Sequence, residues 1–455
     1  MKISALDSKR LFRKSLLSSA ALCAASGGAA LASGFSVEHQ NAEAMGAAYA
    51  GAQAKGADAG FAVYNPAALA GIGRAETSLN ATVLFGETGY SNASSTLLGA
   101  FPAPSAASGD RVLPEAFIAG SAVAFPISGR LTAGITLSTP FGLKSRYDVL
   151  SAVRYYAQET SLLTFAVAPT LAYEVSDRFA VGASLRIQYA DFTASTVVDA
   201  GGVAFLNSIP GFLPGSSDLF AEFKADDLAI GFSAGAQVEP VDGLRLGFTY
   251  NSAIDHELDG DTTFAVASSP AAAILNGLAG LFADTGFNAT LELPASYALG
   301  ASWAATPRLT LLASATLTRW SVFDETVFTF DNPAQPPEII TSEWSDSVTL
   351  SAGGEFQVSD ATTLRAGFSF DETPVNDRFA GPQIPDVDRR WLLAGVSHAF
   401  SEKLSVDLAG GLVVAPKTRE VRLDGTEPGN LLRGALNADI DVNTYAASLR
   451  IKYRF

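Results

Sequence analysis

From about residue 75 to the carboxy terminus, apolar residues alternate with small or polar ones at a period of two. In Phe179–Tyr189 the odd positions read Phe179, Val181, Ala183, Leu185, Ile187 and Tyr189. The even positions read Ala180, Gly182, Ser184, Arg186 and Gln188. Successive side chains of a strand point to opposite faces, so one face suits lipid and the other is small or polar. Ile230–Val238, Leu244–Asn251 and Leu364–Phe370 repeat the pattern. A soluble sandwich also alternates, and the links separate the two architectures. Fourteen segments are read, from 75–86 to 444–455. Six tight links join them: Ser128-Gly129-Arg130, Ser176-Asp177-Arg178, Val241-Asp242-Gly243, Ala305-Thr306-Pro307, Ser359-Asp360 and Ser401-Glu402. Long links, such as 87–114, 193–218, 265–287 and 415–443, take turns with them. Outer-membrane barrels have short periplasmic turns, long outer loops and an even strand count. A sandwich has no reason to sort its loops by parity. The expectation is an all-β fold, a 14-stranded antiparallel transmembrane β-barrel over 75–455.

Composition agrees. Mean hydropathy is positive, at +0.22. Yet beyond the amino-terminal region no stretch approaches the roughly 18 apolar residues of a membrane helix. A closed barrel is the other structure that satisfies every backbone group in lipid. In the last segment Tyr445, Ala447, Leu449, Ile451, Tyr453 and Phe455 share one face, and Arg450, Lys452 and Arg454 the other. A terminal strand ending in an aromatic residue suits delivery to the barrel assembly machinery, and its tyrosines suit an interfacial girdle.

Residues 1–32 read as a signal peptide. Lys2, Lys9, Arg10, Arg13 and Lys14 precede the apolar run Leu16–Ala25, and Ala30-Leu31-Ala32 supplies a small-x-small cleavage site. A cut after Ala32 removes five basic residues and one acidic one, taking the formal charge from −16 to −20. Such a chain repels nucleic acid. The single cysteine, Cys23, lies in the leader behind Leu22, so neither lipidation nor thiol chemistry is expected of the mature chain.

Residues 33–74 are rich in Gly and Ala and alternate weakly. With both barrel ends periplasmic, this segment hangs below the barrel or fills its lumen. A lumen of about fourteen strands is too wide for side chains alone to fill, so a hatch is expected. Two outer loops are unusually apolar. The 193–218 loop carries Val203, Phe205, Leu206, Ile209, Phe212 and Leu213. In Ala271–Phe282, Ile274, Leu275, Leu278, Leu281 and Phe282 fall at helical spacing. Loops facing water are normally polar. These pack either on each other or on a hydrophobic visitor.

These features resemble the long-chain fatty acid outer-membrane transporter family (FadL/TodX type). Ser33-Gly34-Phe35 is similar to its mature start, and Asn65-Pro66-Ala67, after the Gly/Ala-rich Met45–Gly60, to its hatch motif. Leu293-Pro294 opens a strand running on to Trp320-Ser321-x-Phe323, and Ile384-Pro385-Asp386-x-Asp388-Arg389-x-Trp391 follows in order. The resemblance implies capture of ligand between two outer loops, a deeper pocket, and sideways exit through a kinked third strand. It makes Phe35, Phe205, Phe212, Leu213, Ile274, Leu278 and Phe282 candidate ligand contacts. Gly134, Pro140 and Gly142 become candidate gate residues, although Pro140 otherwise simply ends its strand. Asn65, Pro66 and Ala67 become a structural latch. The family's basic residues for a ligand carboxylate are absent: Asp191 follows Tyr189-Ala190, and Asp324-Glu325 follows Phe323. Arg186 either substitutes for them or pairs with hatch carboxylates such as Asp58.

No metal, cofactor or catalytic set is expected, since His39, His256 and His398 stand far apart in sequence and no Ser–His pair is evident. The acidic run Asp255–Asp261 offers either a divalent-cation contact to lipopolysaccharide or plain solvated charge. The reading is a monomeric outer-membrane channel for passive uptake of a hydrophobic small molecule. Long-chain fatty acids come first, with neutral aromatic hydrocarbons, or a general porin or surface-interaction barrel, as alternatives. Outer-membrane lipid and lipopolysaccharide are its expected surroundings.

Overall fold

The computed structural model describes residues 34–103 and 105–455. The leader expected at 1–32 and the cleavage site lie outside them. Fourteen antiparallel strands close a barrel. They are β1 Glu76–Leu97, β2 Ala116–Pro126, β3 Leu131–Ser138 resuming as Gly142–Arg146, β4 Glu159–Ser176 and β5 Phe179–Asp199. Next come β6 Asp218–Val241, β7 Leu244–Asn251 continued by Ile254–Phe264, β8 Thr285–Leu293 continued by Ser296–Ala304, and β9 Leu309–Thr318 continued by Glu325–Phe330. The last five are β10 Ser347–Ser359, β11 Thr362–Asp371, β12 Arg389–Ala399, β13 Leu404–Val414 and β14 Ala435–Arg454. Each strand pairs with its chain neighbours, and β1 closes on β14 from Glu76↔Arg454 to Thr96↔Ala435.

The alternation has the expected physical cause. Leu79, Phe117, Ile135, Leu185, Phe232, Leu299, Leu350 and Leu408 are large apolar residues exposed on the outer face, a belt that only lipid covers. Three of the tight turns share one device. A hydroxyl at Ser128, Thr306 and Ser401 accepts the amide hydrogen of the residue three positions on, at 3.2, 3.0 and 3.1 Å.

Strand lengths depart from the sequence-based expectation at the outer end. β1 runs to Leu97 rather than 86, β5 to Asp199 rather than 192, and β14 begins at Ala435 rather than 444. These extensions rise past the lipid, so neither face has to be apolar and the period-two signal fades. The helix expected across Ala271–Phe282 is Pro270–Ala279. Gly280, with φ of 70°, caps it in the left-handed conformation and puts Leu281 and Phe282 beyond it.

Residues 34–74 lie within the ring of strands. Their short helix α1, Ala42–Gly46, is capped by Asn41, whose side chain accepts from Glu43 and Ala44 amides. It packs against β12 and β13, while the turn at Pro66–Leu69 reaches β4, β5 and β6 on the other side. Interior strand glycines make this possible. A Cβ on Gly235 would stand 1.9 Å from Asn65 Oδ1, and one on Gly247 would stand 1.9 Å from the Gln53 carbonyl. The inner segment is therefore laid directly on the wall's backbone.

Candidate functional site

Three cavities among the described residues bear on passage through the lumen. An outer vestibule of about 710 Å³ lies between the loops that follow β9, β11 and β13, with Arg378, Arg422 and Glu427 on its wall. It shares Tyr156, Ile340, Phe379, Gln383 and Arg433 with a deeper chamber of about 140 Å³. That chamber is apolar, lined by Leu162, Phe192, Phe223, Phe328, Trp344 and Val375. A third cavity, also about 140 Å³, is polar, with Glu38, Ser184, Arg186, Ser233, Asn251 and Thr318 among its walls.

An aromatic floor stands between chamber and polar cavity. Phe35 is buried, its ring centroid 4.6 Å from Trp320, 5.6 Å from Phe323, 5.7 Å from Trp344 and 6.0 Å from Phe141. Its position is set by Gly34, whose amide donates to Asp386 Oδ2 at 3.0 Å. A Cβ on Gly34 would come within 2.8 Å of Trp344, so only glycine fits between the indoles. Asp386 in turn pairs with buried Arg389. Three motifs distant in sequence, Gly34-Phe35, Trp320-x-x-Phe323 and Asp386-x-x-Arg389, thus build one structure.

The inner segment is tied to the wall in two ways. Asn65 accepts the Ala67 amide at 2.9 Å and donates to the Gln53, Ala236 and Phe248 carbonyls at 2.7, 3.2 and 3.3 Å, which pins the Asn65-Pro66-Ala67 turn to β6 and β7. Opposite, a buried ionic network joins it to β10–β14. Arg450 pairs with Glu43, with Asp58 at 3.2 Å and with Asp407 at 2.5 Å. Arg365 pairs with Glu43 at 3.0 Å and Glu355 at 2.8 Å, and Lys452 reaches Asp58 at 2.7 Å. This corrects one expectation: Asp58 is held by Arg450 and Lys452, not by Arg186. Among the described residues Arg186 has no carboxylate partner, only Gln188 Oε1 at 3.4 Å.

The third strand is broken at Thr139-Pro140-Phe141. Its pairing with β2 ends at Leu137↔Ser121, and its resumed half pairs only with β4. Residues Ala116–Gly120 of β2 therefore have no partner from β3. The inner segment covers the opening. The Val37 amide donates to the Pro140 carbonyl and the Gly142 amide to the Phe35 carbonyl, each at 2.9 Å. The Gln40 carboxamide donates to the Thr139 carbonyl at 2.7 Å and accepts its amide at 3.3 Å, doing the work of a missing strand. Pro140 and Gly142 flank this break. Gly134 does not: it pairs regularly with Ala124 and Thr170, and its missing Cβ makes room for Leu69.

The two apolar loops pack partly on each other. Helix α2, Ala200–Leu206, lies against α3, Pro270–Ala279. Phe282 is buried against Phe264, ring centroids 5.6 Å apart, and Phe212 is half-buried. Phe205, Leu213, Ile274 and Leu278 remain exposed, Leu278 at 77%. None of these six lines the chamber; of the eight sequence-expected ligand contacts only Phe35 does, while Arg186 lines the polar cavity. Phe192, Phe223, Phe328 and Trp344 were missed. A signal for them existed in parity. On the inner face of β6, Leu219, Ala221 and Phe223 give way to Gly231, Ser233 and Gly235, so an apolar storey sits above a small and polar one.

Comparison with known proteins matches this architecture. A family model described as outer membrane protein transport protein (OMPP1/FadL/TodX) matches residues 22–455. The long-chain fatty acid transport protein of Escherichia coli O6:H1 is 25% identical over 442 residues, 92% of this chain and 95% of its own. The crystal structure of a FadL homologue from Pseudomonas aeruginosa is 26% identical, with a TM-score of 0.83, covering 93% of this chain and all of the other. The toluene transporter TbuX of Ralstonia pickettii shares the fold at 19% identity, with a TM-score of 0.64 over 93% of this chain and 99% of its own. A barrel with an apolar chamber, matched by this model along nearly its whole length, belongs to the OMPP1/FadL/TodX family of outer membrane transport proteins.

Proposed function

We propose that this protein carries long-chain fatty acids passively across the outer membrane, through the aromatic chamber and out sideways at the broken third strand. The observation that carries the reading is the chamber itself: an apolar, aromatic-walled space inside a barrel whose lumen is otherwise small and polar. Burying a hydrocarbon tail there gains roughly 25 cal/mol per Å² of apolar surface removed from water. Passage down a wet pore would forfeit that gain, whereas an exit into lipid retains it. The exit is supported by the missing β2–β3 pairing, stopped by Gln40 and the 35–37 backbone. The exposed residues of the loop pair, Phe205, Leu213, Ile274 and Leu278, serve as a first landing surface. Residues 34–74 act as the hatch, the chain works as a monomer, and lipopolysaccharide surrounds its outer rim. The fatty acid relative supports the ligand class at 25% identity along nearly the full chain.

The test is uptake by vesicles holding the purified protein. Oleate is expected to cross without an energy source while small sugars do not. Rapid swelling in sugars would make it a general porin. Passage of toluene but not oleate would make the ligand a neutral aromatic.

A further inference from the structure

One ion pair stands where the vestibule meets the chamber, its arginine on the wall of both cavities. Arg433, on the loop before β14, meets Glu338, on the hairpin that follows β9. Both line the chamber, and among the described residues on its wall Arg433 is the one cation and Glu338 the one carboxylate. Their side chains are 16% and 30% exposed, and Arg433 borders both cavities while Glu338 lines the chamber. Arg433 is also held from beneath. Its guanidinium lies 5.7 Å from the Tyr156 ring centroid, and the Tyr156 hydroxyl donates to the Gly434 carbonyl at 2.5 Å. Among the described residues Glu338 has no second side-chain anchor, and its backbone is tied by pairing with Phe328.

We propose that this pair is an exchangeable lock, opened when the carboxylate of an incoming ligand replaces Glu338 on Arg433. The proposal rests on the chamber being the ligand site, and it deepens that reading by naming the group that selects acids over neutral hydrocarbons. Taking a lone carboxylate into an apolar chamber is costly. Exchange avoids that cost, because one anion leaves Arg433 as another arrives. Glu338 has somewhere to go: its chain neighbours Pro337 and Ile339 line the vestibule, so an outward swing brings its carboxylate to water. The guanidinium fork fits a carboxylate with two parallel hydrogen bonds, so the ligand head is held where the two cavities meet while its tail lies along Phe192, Phe223 and Phe328. A neutral hydrocarbon cannot take Glu338's place and meets the intact pair. The residues that would carry this role are in outer loops, and neither belongs to a motif singled out by the sequence.

The two halves of the lock have opposite signs, which makes the test sharp. The probes are bromostearic acid and its methyl ester, and the readout is quenching of Trp344 fluorescence in detergent-solubilised full-length protein. Glu338→Gln frees Arg433 and is expected to tighten acid binding several-fold, by about fivefold. Arg433→Gln is expected to weaken it by about tenfold or more, with Arg433→Lys between that variant and wild type. Neither change should move the ester by more than about twofold. Loss of acid binding in both variants, or equal shifts for acid and ester, would mean the pair only holds two loops together and would overturn the exchange alone. A wild-type protein that takes neither probe into the chamber would overturn the chamber reading as well. Because gain and loss are expected from one contact, a misfolded variant cannot imitate the full result.

Discussion

Asn65 ties the inner segment to the wall with one carboxamide that serves its own turn and two wall strands. Asn65→Ala would remove one donor from the Ala236, Phe248 and Gln53 carbonyls, the last keeping Gln237 Nε2 at 2.9 Å. Each such loss costs about 1–3 kcal/mol when no water replaces it. The expected outcome is a folded barrel with a loosened hatch, seen as raised ion conductance in planar bilayers with an unchanged heat-modifiable band on gels. At the opposite wall Arg450 neutralises three buried carboxylates. Arg450→Met leaves buried Asp407 without its cation, while Glu43 keeps Lys55 and Arg365 and Asp58 keeps Lys452, and should destabilise by about 3–5 kcal/mol. A marked fall in the temperature at which the folded band disappears is the readout. Glu38 adds a pH dependence. Burial, with Asp371 nearby, raises its carboxyl in the inner segment from an ordinary 4.5 to about 7. Its folded-state pKa is raised, so the stabilisation from the protonated form is complete below about 4.5 and is lost as pH rises through about 7. Conductance should therefore climb between pH 5 and 8, and Glu38→Gln should flatten that climb.

At the scale of elements, the broken third strand decides how the barrel wall can open. Ser36 and Phe141 are direct partners across the docked segment. The flanking bonds, Val37 to Pro140 and Gly142 to Phe35, make them the close, non-hydrogen-bonded kind of antiparallel pair. That spacing suits a disulfide, and the only native cysteine, Cys23, falls in the expected leader. A cysteine pair at these positions should staple the inner segment over the opening under oxidising conditions. What was legible in the sequence stops short of this. Pro140 and Gly142 marked a break because proline lacks a donor, but Gly134 misled. Its role is to admit Leu69, and no strand pattern tells a glycine that yields to a neighbour from one that bends. Gln40 left no signal, since a side chain that imitates a strand obeys no periodicity. The family resemblance makes Phe282 a ligand contact, whereas its apolarity in an outer loop fits loop packing equally well. Gly280 ends the helix before it, and the residue turns inward to Phe264.

For the molecule as a whole, strand number, closure and the sorting of short from long links were legible, since lipid imposes a strict rule on every outward residue. The chamber was not, because inward residues obey no solvent rule and their apolar storey shows only where parity is followed along one strand. Topology follows from the sorted links. Epitope tags placed in the loops near Ser105 or Thr426 should be reached by antibody on intact cells, and tags at Asp177, Gly243 or Asp360 should not. Labelling at the tight turns would invert the barrel and the account with it. The central claim is that a hydrophobic ligand enters the chamber and leaves through the wall at the third strand. It is tested most directly by oleate uptake into cells expressing the Ser36→Cys, Phe141→Cys protein, measured oxidised and after reduction alongside chamber binding. Uptake should vanish on oxidation and return on reduction while Trp344 quenching by a brominated acid persists throughout. Undiminished uptake by fully cross-linked protein would contradict the account and route the ligand past the hatch along the barrel axis.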